Sequence, residues 1–155
     1  MPHSRLVRKQ FLPADRERVF DFFAKAANLE LITPPFLHFQ TIKPPTLMDG
    51  GTRIDYRLRL RGIPFRWSSL ISSWEPPIRF VDEQIKGPYR FWTHEHRFEE
   101  SNGGTLVTDT VHYRVPGGVF APLIDRLYVR RDLISIFDYR SRTLAAIFRS
   151  GEGVG

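Results

Sequence analysis

Through the middle of this chain apolar residues recur at every second position, and no other feature limits its folding so strongly. In TRIDYRLRLRG (residues 52–62), Ile54, Tyr56, Leu58 and Leu60 fall on one side. Arg53, Asp55, Arg57, Arg59 and Arg61 fall on the other. Successive side chains of a strand point to opposite faces, so this alternation calls for a sheet with one dry and one wet face. Further strand-like runs follow. IPFRWSSLISSW offers Phe65, Trp67, Ser69 and Ile71 as its inner set, and RFVDEQIK, FWTHEHRFEE and TLVTDTVHYRV come after it. Gly50-Gly51, Gly62, Gly87-Pro88 and Ser101-Asn102-Gly103-Gly104 are the turns between runs. SRLVRKQFL (4–12) and FLHFQTIK (36–43) read as shorter strands, giving about seven in all.

A dry sheet face must be covered. Two segments have helical rather than strand periodicity. Val19, Phe20, Phe23 and Ala24 repeat at helical spacing after Asp15, a partial N-cap. Leu29, Leu31 and Ile32 suggest a short continuing turn, which Thr33-Pro34-Pro35 ends. From about Val119 to Phe148 the chain has no glycine. Phe120, Leu123, Leu127, Ile134, Phe137, Leu144, Ala145 and Phe148 form a stripe there at about 100° per residue. The expected architecture is α+β: a curved antiparallel sheet wrapped on one long C-terminal helix, with a short helix or helix pair after the first strand. At 155 residues, with no internal repeat or linker, residues 1–149 are expected to form one domain and residues 150–155 a disordered tail.

The chain resembles the START/SRPBCC superfamily, whose fold is the helix grip. Within it, the chain resembles small bacterial ligand-binding proteins related to polyketide cyclase/dehydrase-type domains. The resemblance is carried by FLPADRERVFDFFAKAANLELITPP, WEPPIRFVDEQIKGPYRFWTHEHRFEE, GGTLVTDTVHYRVPGG and VRRDLISIFDYR, which together span nearly the whole chain. It implies binding of a lipid-, quinone- or polyketide-like molecule in a cavity between sheet and helix, sometimes with catalysis. No residue set is shared across the superfamily, so function rests on the site.

The candidate site lies in FWTHEHRFEE. Alternation places Trp92, His94, His96 and Phe98 on the inner face and Phe91, Thr93, Glu95, Arg97 and Glu99 on the outer. If Phe98 pairs near Thr105, His94 falls opposite Asp109 and His96 opposite Val107, with Val111 and Tyr113 on the same face. Across the Gly87-Pro88 turn, Phe80, Asp82 and Gln84 lie beside the histidine strand, Asp82 inward. On the last helix Arg130 falls near the middle of the apolar stripe and Arg131 near its edge; whichever points inward needs a partner such as Asp82 or Asp109, since a buried arginine is costly unpaired. The expected binding set is therefore Phe23, Tyr56, Leu58, Trp67, Asp82, Trp92, His94, His96, Phe98, Asp109, Tyr113, Arg130 and Phe137, with aromatic and aliphatic walls and a polar end.

Four readings fit such a patch: groups that satisfy one another's hydrogen bonds in the core, anchoring of a ligand's polar head, general acid/base catalysis by His94, His96 and Asp109, and a metal site. His-x-His with an unassigned third ligand is weak evidence for a metal, so neither metal nor cofactor is expected. Zero cysteine excludes disulfides, thiolate zinc and a cysteine nucleophile.

The net charge of +6 and the arginine stripe suit a solvated sheet face. Without a recognition helix, zinc finger or RNA-binding aromatic motif, nucleic acid is not an expected partner. No apolar run approaches the roughly 18 residues of a membrane span, so membrane contact would be peripheral, through Thr33-Pro34-Pro35-Phe36-Leu37, which equally suits a cavity gate or a plug. No apolar block followed by small residues opens the sequence, so no secretory signal and a cytoplasmic location are expected. Oligomeric state is not legible.

Overall fold

The computed structural model describes residues 3–45 and 48–149; the tail at 150–155 lies outside the described residues. The elements are β1 (Ser4–Leu12), α1 (Arg16–Phe23), α2 (Asn28–Leu31), β2 (Gln40–Ile42), β3 (Arg53–Leu60), β4 (Ile63–Glu75), β5 (Arg79–Lys86), β6 (Phe91–Ser101) and β7 (Gly104–Arg114). Helices α3 (Ala121–Ile124) and α4 (Arg130–Ile147) follow, joined without a break by a π turn at Asp125–Val129. Among the described residues, seven strands form one antiparallel sheet in the order β1-β7-β6-β5-β4-β3-β2. The helix-grip architecture expected from the sequence is the one observed.

Alternation predicts the sheet's faces well. In β3, Ile54, Tyr56 and Leu58 are buried while Arg53, Arg57 and Arg59 are exposed. In β6, His94, His96 and Phe98 are buried at 4%, 2% and 0% exposure. The β6–β7 register differs from expectation by two residues. Phe98 pairs with Val107, His96 with Asp109 and His94 with Val111. The turn sets this register: Ser101 pairs with Gly104, leaving only Asn102 and Gly103 as the loop, both with positive φ (46° and 77°). A two-residue loop of that backbone type matches the twist of the flanking strands. A slip of two preserves every face, so Val107, Asp109, Val111 and Tyr113 still point inward.

Residues 36–43 form less strand than expected. Pro35–Leu37 is a 3-10 turn and His38 is left-handed (φ 48°), which delays β2 to Gln40. At the start of α1, Asp15 occupies the N-cap position but makes no capping hydrogen bond.

The phase of the last helix also departs from expectation. Phe120, Leu123, Leu127 and Ile134 are exposed, as is Ala145. The inward residues are Ala121, Ile124, Val129, Leu133, Ile136, Phe137, Leu144 and Phe148. Ile124 and Val129 are five apart because the π turn adds a residue to one turn and rotates everything before it. Asp125 within that turn is held from the sheet: Tyr113 Oη donates to its Oδ1 at 2.7 Å and Ser4 Oγ to its Oδ2 at 2.6 Å. Farther along, Arg8 pairs with Asp138, and Gln10 Nε2 donates to the Ser141 carbonyl at 2.7 Å. Edge strand β1 thus fastens α4 across the sheet.

Two apolar clusters fill the space between. One joins α1, the sheet and the end of α4 through Phe20, Phe23, Phe98, Leu144 and Phe148. The other joins β1, β7 and the start of α4 through Leu6, Val111, Tyr113, Leu133 and Phe137. Each large side chain so buried contributes roughly 1.5–3 kcal/mol. No helix among the described residues is long and apolar enough to cross a membrane.

Candidate functional site

Between the two clusters is a cavity of about 140 Å³. Its sheet side is formed by Tyr56 and Leu58 from β3, Trp67 and Ser69 from β4, Asp82 from β5, and Trp92, His94 and His96 from β6. Its helix side is Leu133, Ile136, Phe137 and Arg140 from α4. Leu29, Thr33, Leu37 and Phe39 close one end. Of the Thr33–Leu37 segment, Leu37 is buried against the cavity and Phe36 stands out into solvent, 55% exposed. That end is therefore lined by α2 together with the short proline-bounded turn that follows it.

The polar floor is an interlocked set of two histidines and two aspartates. His94 Nε2 lies 2.8 Å from Asp109 Oδ1, and His96 Nε2 lies 2.7 Å from Asp82 Oδ2. His96 Nδ1 comes within 3.2 Å of the same Asp109 oxygen, at ion-pair distance but without hydrogen-bond geometry. The two imidazoles stack, ring centroids 3.7 Å apart and planes 26° from parallel. On its other side His96 stacks on Phe80 at 4.1 Å and 13°.

Burial drives the two rings apart in proton affinity. For His94, desolvation comes first and the neighbouring His96 second; together they outweigh Asp109 and hold it below the ordinary histidine value. Desolvation also opposes charge on His96, but the interactions with Asp109 and Asp82 outweigh it and raise its affinity. Both aspartates are held below the usual carboxylate range, because hydrogen bonds from the imidazoles overcome the cost of burying their charge. The two rings are thus pushed apart in proton affinity beside two carboxylates.

Asp82, His94 and His96 each offer an atom within 4.8 Å of the other two, so the question of a metal arises. The rings' orientation argues against it. In-plane lone pairs of two nearly parallel stacked imidazoles run side by side, whereas zinc ligation needs them to converge on a point about 2.0–2.1 Å from each nitrogen. His96 Nε2 is moreover already committed to Asp82.

Of the residues expected from the sequence, Tyr56, Leu58, Trp67, Asp82, Trp92, His94, His96 and Phe137 line the cavity. Phe23, Phe98, Asp109 and Tyr113 are buried behind that surface. Phe23 lies against His96, with 6.1 Å between ring centroids, and Asp109 supports both histidines. Arg130 is not among the residues lining the cavity; it donates to the Arg5 carbonyl at 3.2 Å. The arginine at the cavity is Arg140. Its signal is present in the sequence, since Leu133, Phe137, Arg140 and Leu144 are spaced four, three and four apart, the inner row of a helix.

Tyr89 is a further wall residue that alternation does not reveal. It sits in the turn between β5 and β6, where Gln84 clamps its backbone with bonds of 2.8 and 3.1 Å to its carbonyl and N–H. This places its ring against Trp67 and Trp92, 5.5 and 4.9 Å away.

A family model described as polyketide cyclase / dehydrase and lipid transport matches residues 12–134. No curated protein matches the sequence. Solved structures do. Protein Ms6760 from Mycobacterium smegmatis superposes with a TM-score of 0.71 at 18% identity, over 96% of this chain and 92% of its own. Ginseng major latex-like protein 151 from Panax ginseng does so with a TM-score of 0.71 at 10% identity, over 96% and 99%. TTHA0849 from Thermus thermophilus gives a TM-score of 0.66 at 20% identity, over 92% and 98%. At such identities the likeness is one of fold.

Proposed function

The chain belongs to the polyketide cyclase / dehydrase and lipid transport family, and from that premise we propose that it binds a small hydrophobic ligand in the cavity between sheet and α4. The observation that carries the reading is the cavity itself: an apolar space walled by Tyr56, Leu58, Trp92, Leu133 and Phe137, with a few polar groups, Asp82, His94 and His96 from the sheet and Arg140 from α4, among them. That composition is the usual one for a small-molecule site.

Its volume restricts the ligand. About 140 Å³ is well below the roughly 300–1,000 Å³ of pockets that enclose drug-sized molecules. It is close to the ~150 Å³ engineered cavity that accepts benzene. A ring-sized occupant suits it without rearrangement. A quinone with a long tail or a lipid chain exceeds that volume. A cytoplasmic setting accords with a chain that uses no cysteine.

One observation favours an enzymatic alternative of the cyclase or dehydratase kind. Two imidazoles with proton affinities pushed in opposite directions form a matched acid and base. Binding alone gives His94→Ala and His96→Ala variants with modestly weaker affinity and no turnover to lose; catalysis gives variants that bind but do not turn over.

The test is native mass spectrometry of the protein purified from its own source. A co-purifying organic mass of ring-bearing size, released on denaturation, is the expected result. Protein carrying nothing and taking up no aromatic probe would count against the proposal.

A further inference from the structure

The cavity presents more hydrogen-bond donors than the protein answers. Trp67 Nε1, Arg140 Nε and Arg140 Nη1 are all buried and have no hydrogen-bond partner among the described residues. Both residues line the cavity. Arg140's guanidinium lies 5.1 Å from the Phe137 ring centroid, a contact that leaves its N–H groups unanswered. Asp82 is within its electrostatic reach, yet Asp82 Oδ2 is engaged by His96. A buried donor without an acceptor costs roughly 1–3 kcal/mol, and natural proteins keep few of them. Three on two residues facing one small space call for an acceptor from outside the chain.

The charges nearby decide what kind of acceptor. Two carboxylates, Asp82 and Asp109, already stand at the floor, each within hydrogen-bond distance of a histidine. An anionic ligand would add a third buried negative charge beside them, which is far more costly than burying a polar group.

We infer that the ligand is a compact, uncharged, ring-sized molecule carrying a carbonyl-type oxygen, which Trp67 and Arg140 recognise as donors. This deepens the proposed function and rests on it. Specificity of this kind discriminates strongly, because an analogue lacking the acceptor leaves the buried donors unpaired again.

Three molecules of nearly equal shape separate the possibilities: acetophenone, ethylbenzene and benzoate, titrated calorimetrically near pH 7 into the wild type, Trp67→Phe and Arg140→Met. Acetophenone is expected to bind about tenfold or more tightly than ethylbenzene, with benzoate weaker than acetophenone. In either variant that preference collapses while ethylbenzene still binds, which shows that the cavity remains intact. Equal binding of acetophenone and ethylbenzene by the wild type would overturn the donor inference but leave the cavity reading standing. Tightest binding by benzoate would overturn the charge argument. If none of the three binds, the cavity reading falls and takes this inference with it.

Discussion

His94 and His96 lie face to face with 3.7 Å between their ring centroids, yet the protein drives their proton affinities in opposite directions. The difference comes from their partners. Asp109 meets His94 and also approaches His96, while Asp82 hydrogen-bonds to His96 alone. Shifts in opposite directions work against placing two positive charges a van der Waals contact apart in a buried site.

This arrangement sets a pH window for stability. Asp82 and Asp109 titrate below the free value of 3.8, so the unfolded chain takes up protons first as pH falls and the fold loses stability. His94, held below 6.5, acts in the same direction from about pH 6.5 downward. His96, raised above 6.5, acts oppositely: its contribution is full below that value and disappears as pH rises through its folded pKa. Urea midpoints from pH 3 to 9 are expected to peak near neutrality, with an acid limb of up to about 1.4 kcal/mol per pH unit for each group that titrates there. Asp109→Asn should lower the peak by about 1–3 kcal/mol and flatten the acid limb. A variant with an unchanged acid limb would show that Asp109 does not bear the charge assigned to it.

Leu133 is 3% exposed and forms part of the cavity wall from α4. Leu133→Ala is expected to cost about 2–5 kcal/mol and to enlarge the space enough for a two-ring probe such as naphthalene. Calorimetry should find naphthalene binding in the variant and little in the wild type. Equal uptake by both proteins would mean that the cavity's size does not select.

Divalent metal is expected to leave the site unaltered. Added Co²⁺ should give no tetrahedral visible bands, and Zn²⁺ no rise in Tm, because the stacked rings do not converge on one point. A cobalt spectrum abolished by His94→Ala would reverse that conclusion and assign Asp82, His94 and His96 as ligands.

How far the sequence could be read follows from which forces act locally. Period-two alternation settles the inner faces of β3 and β6, since one buried face permits no odd slip. The inward position of Asp82 follows from its spacing to Phe80. Register along β6 and β7 depends instead on which two residues centre the turn, Asn102-Gly103 rather than Ser101-Asn102, which hydrophobicity does not report. The helix is harder. A single inserted residue at Asp125–Val129 rotates Leu123 and Leu127 outward, and no local signal distinguishes a π turn from regular helix. A stripe drawn without that insertion runs through Arg130, whereas Arg140 lies beyond the insertion in the row of Phe137 and Leu144. Tyr89 lies in a turn, where its inward ring depends on the Gln84 clamp, a contact between residues whose pairing is set only in three dimensions.

The central claim is that the space before the histidines takes up an apolar molecule. Its most direct test follows the indole N–H signals of the tryptophans by ¹H–¹⁵N NMR while acetophenone is added. Trp67 lines the cavity, whereas Trp74 packs against Phe20 and Phe80 away from it. A saturable shift of the Trp67 signal, with Trp74 unmoved, is the predicted result. A Trp67 signal that does not respond, or one that drifts together with Trp74 without saturating, would contradict the claim.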